Sequence, residues 1–191
     1  MTQAFLDALT FTLKWEGGFT DNPSDPGNWT GGNVGVGELK GTKWGISAAS
    51  FPHLDIKNLT VAQAADIYKK RYWEAISGDS RPYPEALVVF DFAVNSGVSR
   101  ALAMWNRTPD VREYLAARLD FLASLSTFNT FGRGWVRRVN DLTKLVNELD
   151  KNPDVEVVQL YVHDREFTFR PTKTTIGKTN AGRIKVMSRL V

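Results

Sequence analysis

No cysteine occurs anywhere in the 191 residues. Disulfide frameworks, cysteine nucleophiles and cysteine-ligated zinc are thereby excluded. Histidine is almost as scarce: the two in the chain, His53 and His163, lie 110 positions apart. A histidine-rich metal centre is therefore not expected. No window reaches the ~18 apolar residues of a membrane span. The N-terminus, MTQAFLDALTFTLKW, has neither a basic stretch nor a long apolar core. It does not read as a signal peptide, and the chain is expected to be made in a cytoplasm. Charge of one sign is also modest. A net charge of +3 suits an anionic polymer such as a cell wall but is too weak to argue for nucleic acid.

What is present is a globular composition, 42% hydrophobic, long enough for one compact domain with a sizeable core and a small appendage. Residues 2–15 carry a helical pattern, with Phe5, Leu9, Thr12 or Leu13, and Glu16 on one face, and Gly17-Gly18 ends it. Residues 19–45 are rich in Gly, Asn, Asp and Pro, which predicts a long loop with a small hairpin around Val34–Leu39. Irregular stretches of that length in compact domains are usually functional. Thr60 reads as the N-cap of a helix over Val61–Tyr72. Pro82 and Pro84 lead into an apolar helix over Glu85–Asn95, closed by Ser96-Gly97. Further helices are predicted over 99–105, 109–126 and about 134–150. Beyond Asn152-Pro153, VEVVQLYV and REFTFRP alternate as a β hairpin does, and the tail from Arg170 onward carries six basic residues and no acidic one.

The stretch LKWEGGFTDNPSDPGNW, residues 13–29, raises the chemical question. Glu16 falls at the C-terminal end of a helix, where the macrodipole opposes a negative charge. Trp15 and Phe19 flank it with apolar surface. Both features favour the protonated acid, the form needed to protonate a glycosidic oxygen. Asp25 follows nine positions later in a polar Pro/Gly loop, where a carboxylate stays ionised. Such a pair, one acid and one base, has the asymmetry of glycoside hydrolysis. Asp21 is an alternative to Asp25. A lone glutamate near a helix end is more often an ordinary solvated residue, so the weight lies on the surrounding pattern.

That pattern resembles the family 108 glycoside hydrolases, N-acetylmuramidases related to the phage lysozymes. It comprises E-G-G-F at 16–19, D-N-P-S-D-P-G at 21–27 and T-K-W-G-I-S at 42–47. Y-W at 72–73, F-D-F-A-V-N-S-G at 90–97 and F-G-R-G-W-V-R-R at 131–138 follow in order, so that the resemblance covers roughly residues 3–140. It implies a mainly α (α+β), lysozyme-like fold, a helical body with a small β or irregular lobe at 19–45; the C-terminal β hairpin read from the alternation lies outside it. The implied organisation is a muramidase domain at 1–150, with a catalytic part at 1–98 and a helical part at 99–150, then the hairpin and basic tail at 151–191.

The resemblance further implies Glu16 as the catalytic acid. Thr42 would hold a nucleophilic water and Asp25 would orient or polarise it, in an inverting scheme. Trp29, Trp44, Tyr72 and Trp73 are candidates to stack on sugar rings, and Asp91 and Asn95 to contact the N-acetyl sugar. Each has a structural alternative, as core aromatics or as a buried polar network. The segment NWTGGNVGVGELKG at 28–41 is an insertion relative to short family members. Its glycines fit neither nucleotide-loop spacing.

The implied substrate is bacterial peptidoglycan, cleaved at β-1,4 bonds between N-acetylmuramic acid and N-acetylglucosamine without metal or cofactor. The implied setting is a phage or prophage endolysin that reaches the cell wall through a holin-type membrane lesion. A non-catalytic wall-binding or virion-structural protein on the same fold is the main alternative. An amidase or peptidase is disfavoured by the missing cysteine and scarce histidine.

Overall fold

A computed structural model of the chain describes residues 1–151. The described elements are six α-helices and one small antiparallel sheet, a mainly α fold of the lysozyme-like class. In chain order they are α1 (Gln3–Leu13), β1 (Thr42–Lys43), β2 (Ile46–Ser47), α2 (Val61–Tyr68), α3 (Tyr83–Ser96), α4 (Val98–Arg107), α5 (Val111–Ala123) and α6 (Phe128–Lys151). Among the described residues no helix is long and apolar enough to cross a membrane. The predicted C-terminal hairpin and basic tail lie outside the described residues. The described chain divides into two compact units, residues 1–8 with 71–151, and residues 9–70.

The first unit is helical. Proline within the first turn of α3 fits a helix start, where a missing N–H costs nothing, and Gly97 at φ +95° closes the helix. All of Ala86 to Ala93 is buried, including Asp91, so α3 is the unit's central helix, apolar all round. Trp73, Phe5 and Phe90 meet edge to face at 5.4, 5.5 and 6.0 Å. Trp73 also donates its indole N–H to Asp79 Oδ1 at 2.8 Å. Asp110 caps α5 by accepting from the Arg112 and Glu113 N–H groups at 2.9 and 3.0 Å.

Three helices are tied together at Asp91. Its carboxylate is fully buried, accepts from Arg118 Nη1 on α5 at 2.8 Å, and accepts from Arg138 Nη2 and Nε on α6 at 2.7 and 3.1 Å. Burial alone would push this carboxyl up, but the two guanidinium groups outweigh it and hold the group down at about 2. The Arg118 guanidinium also lies 4.9 Å from the centre of the Phe92 ring, which offsets part of the cost of burying its Nε and Nη2 without hydrogen-bond partners among the described residues.

The second unit is mostly irregular, and its order comes from a few pinned groups. Thr60 and Gln63 form a reciprocal cap at the start of α2: the Gln63 N–H donates to Thr60 Oγ1, and the Thr60 N–H to Gln63 Oε1. The helix predicted to Tyr72 gives way after Tyr68 to a five-residue π turn, Lys69–Trp73. The hairpin predicted at 34–39 is found at 42–47 instead, with Thr42 opposite Ser47 and Lys43 opposite Ile46. Its turn, Trp44-Gly45, has φ +49° and +69°. Two left-handed residues in a two-residue loop make the turn that matches strand twist.

The 28–41 insertion is a folded excursion. Trp29 bridges Leu39, the Thr30 N–H donates to Glu38 O at 3.0 Å, and the Gly31 N–H donates to Val36 O at 3.1 Å. The fully buried Asn28 anchors the base: its carbonyl accepts from the Lys40 and Gly41 N–H groups, each at 3.0 Å. The glycines follow from this close crossing. A Cβ on Gly37 would sit 2.2 Å from Thr30 Oγ1, and one on Gly31 would sit 2.4 Å from a Val36 methyl.

Candidate active site

Glu16 stands three residues past the last residue of α1, which ends at Leu13, two residues earlier than the sequence pattern predicts. The reason is a tightened last turn: the Trp15 N–H donates to Thr12 O at 3.0 Å and the Glu16 N–H to Leu13 O at 3.2 Å, both i to i−3. Gly17, at φ +72°, then turns the chain away. Glu16 itself is half-buried.

Its carboxyl group reaches the hairpin turn. A Cβ built on Gly45 would lie 2.9 Å from Glu16 Oε2 and 3.0 Å from the Tyr68 hydroxyl oxygen. Only a residue without a side chain lets both oxygens approach the turn, and the same residue is left-handed. The buried Tyr68 hydroxyl donates to Trp44 O at 2.7 Å and so fixes the turn from behind. Two predictions follow from this packing. Gly45→Ala loses about 1–2 kcal/mol from the left-handed backbone alone. It also displaces the Glu16 carboxyl, lowering any Glu16-dependent turnover on the order of 10-fold or more, as a paired melting and activity assay would register. Tyr68→Phe leaves the Trp44 carbonyl without its buried donor and costs about 1–3 kcal/mol in urea unfolding; a midpoint unchanged from wild type would contradict that role.

Thr42 lies at the other end of the hairpin. Its N–H donates to Thr20 O at 2.8 Å and its carbonyl accepts from the Thr20 N–H at 2.9 Å, so the chain leaving Glu16 forms a third, one-residue strand beside it. Asp25 is exposed and caps the turn Pro26–Asn28: its Oδ1 accepts from the Gly27 N–H at 2.8 Å. That turn packs on the hairpin base. The Ala49 N–H donates to Gly27 O at 3.0 Å, and a Cβ on Gly27 would lie 3.9 Å from Ser47 Cβ, the residue opposite Thr42. All three candidate groups therefore gather around one hairpin. Glu16 sits at its turn, Thr42 at its base and the Asp25 turn alongside, roughly 7 Å from one end to the other at ~3.3 Å per residue.

The predicted sugar-contacting residues fare unevenly. Trp44 is 6% exposed, with Lys43 Nζ 4.5 Å over its ring, and Trp73 is fully enclosed by Phe5 and Phe90. Neither presents a face on which a sugar ring could stack. Asp91 is likewise corrected: with no exposed surface and both oxygens on arginines, it is a core ion cluster and not a lining residue. Trp29 is half-buried and its indole N–H donates to Pro23 O at 2.9 Å. Tyr72 and Asn95, in the other unit, are also half-buried, and Asn95 Oδ1 accepts from the Ser96 hydroxyl at 3.0 Å. Asp21, the alternative to Asp25, lines a separate depression with Phe19 and Lys40. The sequence reading missed Gly45 and Tyr68. The signal for Gly45 was its place in T-K-W-G-I-S; nothing marked Tyr68.

Among the described residues no group of three or more His, Asp or Glu side chains is arranged to hold a metal ion. The groups this region brings together are two carboxyl side chains, Glu16 and Asp25, beside a hairpin that carries the Thr42 hydroxyl.

The glycosyl hydrolase 108 family model matches residues 9–97, the stretch that carries Glu16, Asp25, Thr42 and the hairpin. The match spans 89 of the 191 residues and supports a glycoside hydrolase of that family. The solved structure of SagA from Brucella abortus is similar to it over 79% of this chain and 98% of the other, with 27% identity and a TM-score of 0.61. No curated protein sequence matches the chain.

Proposed function

We propose that the chain is an N-acetylmuramidase that hydrolyses the β-1,4 bond between N-acetylmuramic acid and N-acetylglucosamine in peptidoglycan. The observation that carries this reading is the approach of the Glu16 carboxyl to the side-chain-free Gly45, on the hairpin whose base holds Thr42. Glu16 donates its proton to the glycosidic oxygen as that bond breaks. The Thr42 hydroxyl holds a water on the opposite face of the sugar. Asp25, with Oδ1 committed to its own turn, uses its other oxygen to orient that water and takes its proton as the new C–O bond forms. This is an inverting sequence, which requires carboxyl groups ~6.5–9.5 Å apart to leave room for the water. Trp29 and Tyr72, half-buried aromatics, and Asn95 are the side chains proposed to contact the glycan.

The biological setting proposed is that of a phage or prophage endolysin, made in the host cytoplasm and admitted to the wall by a holin-type membrane lesion. The direct test is incubation of purified peptidoglycan with the protein and assay of new reducing ends. Their release supports the muramidase. Wall binding without release supports a non-catalytic binding or virion-structural role on the same fold, and release of free amines supports cleavage of the peptides instead.

A further inference from the structure

Beside the hairpin, and within the same unit, lies a cavity of about 420 Å³ lined by Phe19, Asp21, Leu39, Lys40, His53, Leu54, Asp55 and Lys57. None of these residues has a part in the hydrolysis described above. We propose that this cavity binds the peptide that peptidoglycan carries on its muramic acid, so that the enzyme prefers peptide-bearing to bare glycan; the proposal rests on the muramidase reading.

Three observations argue for it. The first is position. Phe19 lies three residues after Glu16, and its neighbour Thr20 pairs with Thr42; Lys40 lies two residues before Thr42. At ~3.3 Å per residue, Lys40 is within roughly 7 Å of Thr42, close enough for a substituent of the bound sugar to reach the cavity. The second is preorganisation. The Phe19 ring packs on Gly41, where a Cβ would lie 2.7 Å from ring atom Cε2, yet the residue remains 36% exposed. Lys40 Nζ donates to Pro52 O at 2.8 Å, and Asp55 accepts from the Asn58 side-chain and backbone N–H groups at 2.9 and 3.2 Å. The walls are thus held without a ligand.

The third observation is chemical. Phe19, Leu39 and Leu54 supply an apolar wall, Lys57 supplies a cation, and Asp21 and Asp55 supply anions, while Lys40 Nζ is paired with Glu38 Oε2 at 3.1 Å. Asp55 is held below the usual carboxylate range by the Asn58 hydrogen bonds and, less strongly, by Lys40 and Lys57, so it stays a fixed anion. A neutral sugar uses none of this charge. A short peptide with alanine methyls, carboxylates and a diamino acid uses all of it: methyls on the apolar wall, carboxylates toward Lys57, an ammonium toward Asp21.

The test uses the intact protein and two readouts. In the first, a synthetic stem peptide, with its carboxylates free or amidated, is titrated into the 15N-labelled protein. Saturable shifts confined to the cavity residues are expected with the free acid, with at least ~10-fold weaker binding for the amidated peptide and for Lys57→Glu, consistent with loss of one charge-assisted contact. In the second, hydrolysis rates are compared on peptide-bearing glycan and on glycan stripped of its peptides. The wild-type ratio is expected to exceed ~10, and Lys57→Glu to bring it toward one. No peptide binding, or equal rates on the two glycans, overturns the proposal. Failure to cleave either glycan overturns the muramidase reading, while the titration still decides whether the cavity takes the peptide.

Discussion

Replacing Glu16 with glutamine lowers the hydrolysis of peptidoglycan by at least ~10²-fold, the usual contribution of a general acid, while leaving the melting temperature within a few degrees of wild type. The amide keeps the shape of the group that packs at Gly45, 2.9 Å from the place a Cβ would occupy, so the local structure has no reason to collapse. What it removes is the transferable proton. A variant that keeps full turnover would show that Glu16 is a structural residue. A variant that loses turnover and fold together would leave its packing, and not its proton, as the explanation. Asp25→Asn and Thr42→Val are expected to impair turnover as well, through the water.

The second large effect is on stability. Asp91→Asn removes the carboxylate that, among the described residues, bridges Arg118 and Arg138 in the core of the helical unit. An isolated buried pair gains little over an apolar substitute, but breaking one leaves an uncompensated buried charge at about 3–5 kcal/mol. Here two guanidinium groups each lose a carboxylate, so a loss within that range is expected, read as a lower urea midpoint at unchanged slope. The same cluster sets an acid limit. The folded carboxyl is held down at about 2, below its unfolded value of ~3.9. Its stabilisation is therefore fully present above about pH 4 and is lost as pH falls through about 2. Urea midpoints should fall in wild type as pH is lowered from about 5 to about 2 and vary less in Asp91→Asn.

The helices were legible because their signals are local. Thr60, Pro84 and Gly97 act at the positions a sequence reading assigns them, and apolar spacing gives α3 its burial. Glu16 stands out in the sequence for a related reason: a carboxyl after an apolar helix and before two glycines is an unusual placement. The hairpin was misplaced because its turn is Trp44-Gly45. A tryptophan at φ +49° is not a turn residue by propensity, and it is held there by tertiary contacts, the Tyr68 hydroxyl among them. The glycines of 31–37 looked like turn signals for a second hairpin, but they mark close crossings of one excursion. Helix α6 begins six residues before the predicted start, because the ring of Phe128 packs over Gly132 and draws a glycine-containing stretch of low intrinsic propensity into the helix.

The aromatics taken for sugar platforms show a different limit. Trp44 and Trp73 look alike in sequence to residues that line a cleft, and only burial separates them. Asp91 carried both readings, lining residue and polar network. The distance from Asp91 to two arginines, 27 and 47 positions along the chain, is information that no local pattern contains.

The central claim concerns which bond breaks. Peptidoglycan digested by the wild-type protein should be reduced with borohydride and its fragments identified by mass spectrometry. New ends carried by reduced N-acetylmuramic acid, absent from the Glu16→Gln digest, are the predicted result. Ends carried by N-acetylglucosamine, or fragments separated only within their peptides, would contradict it.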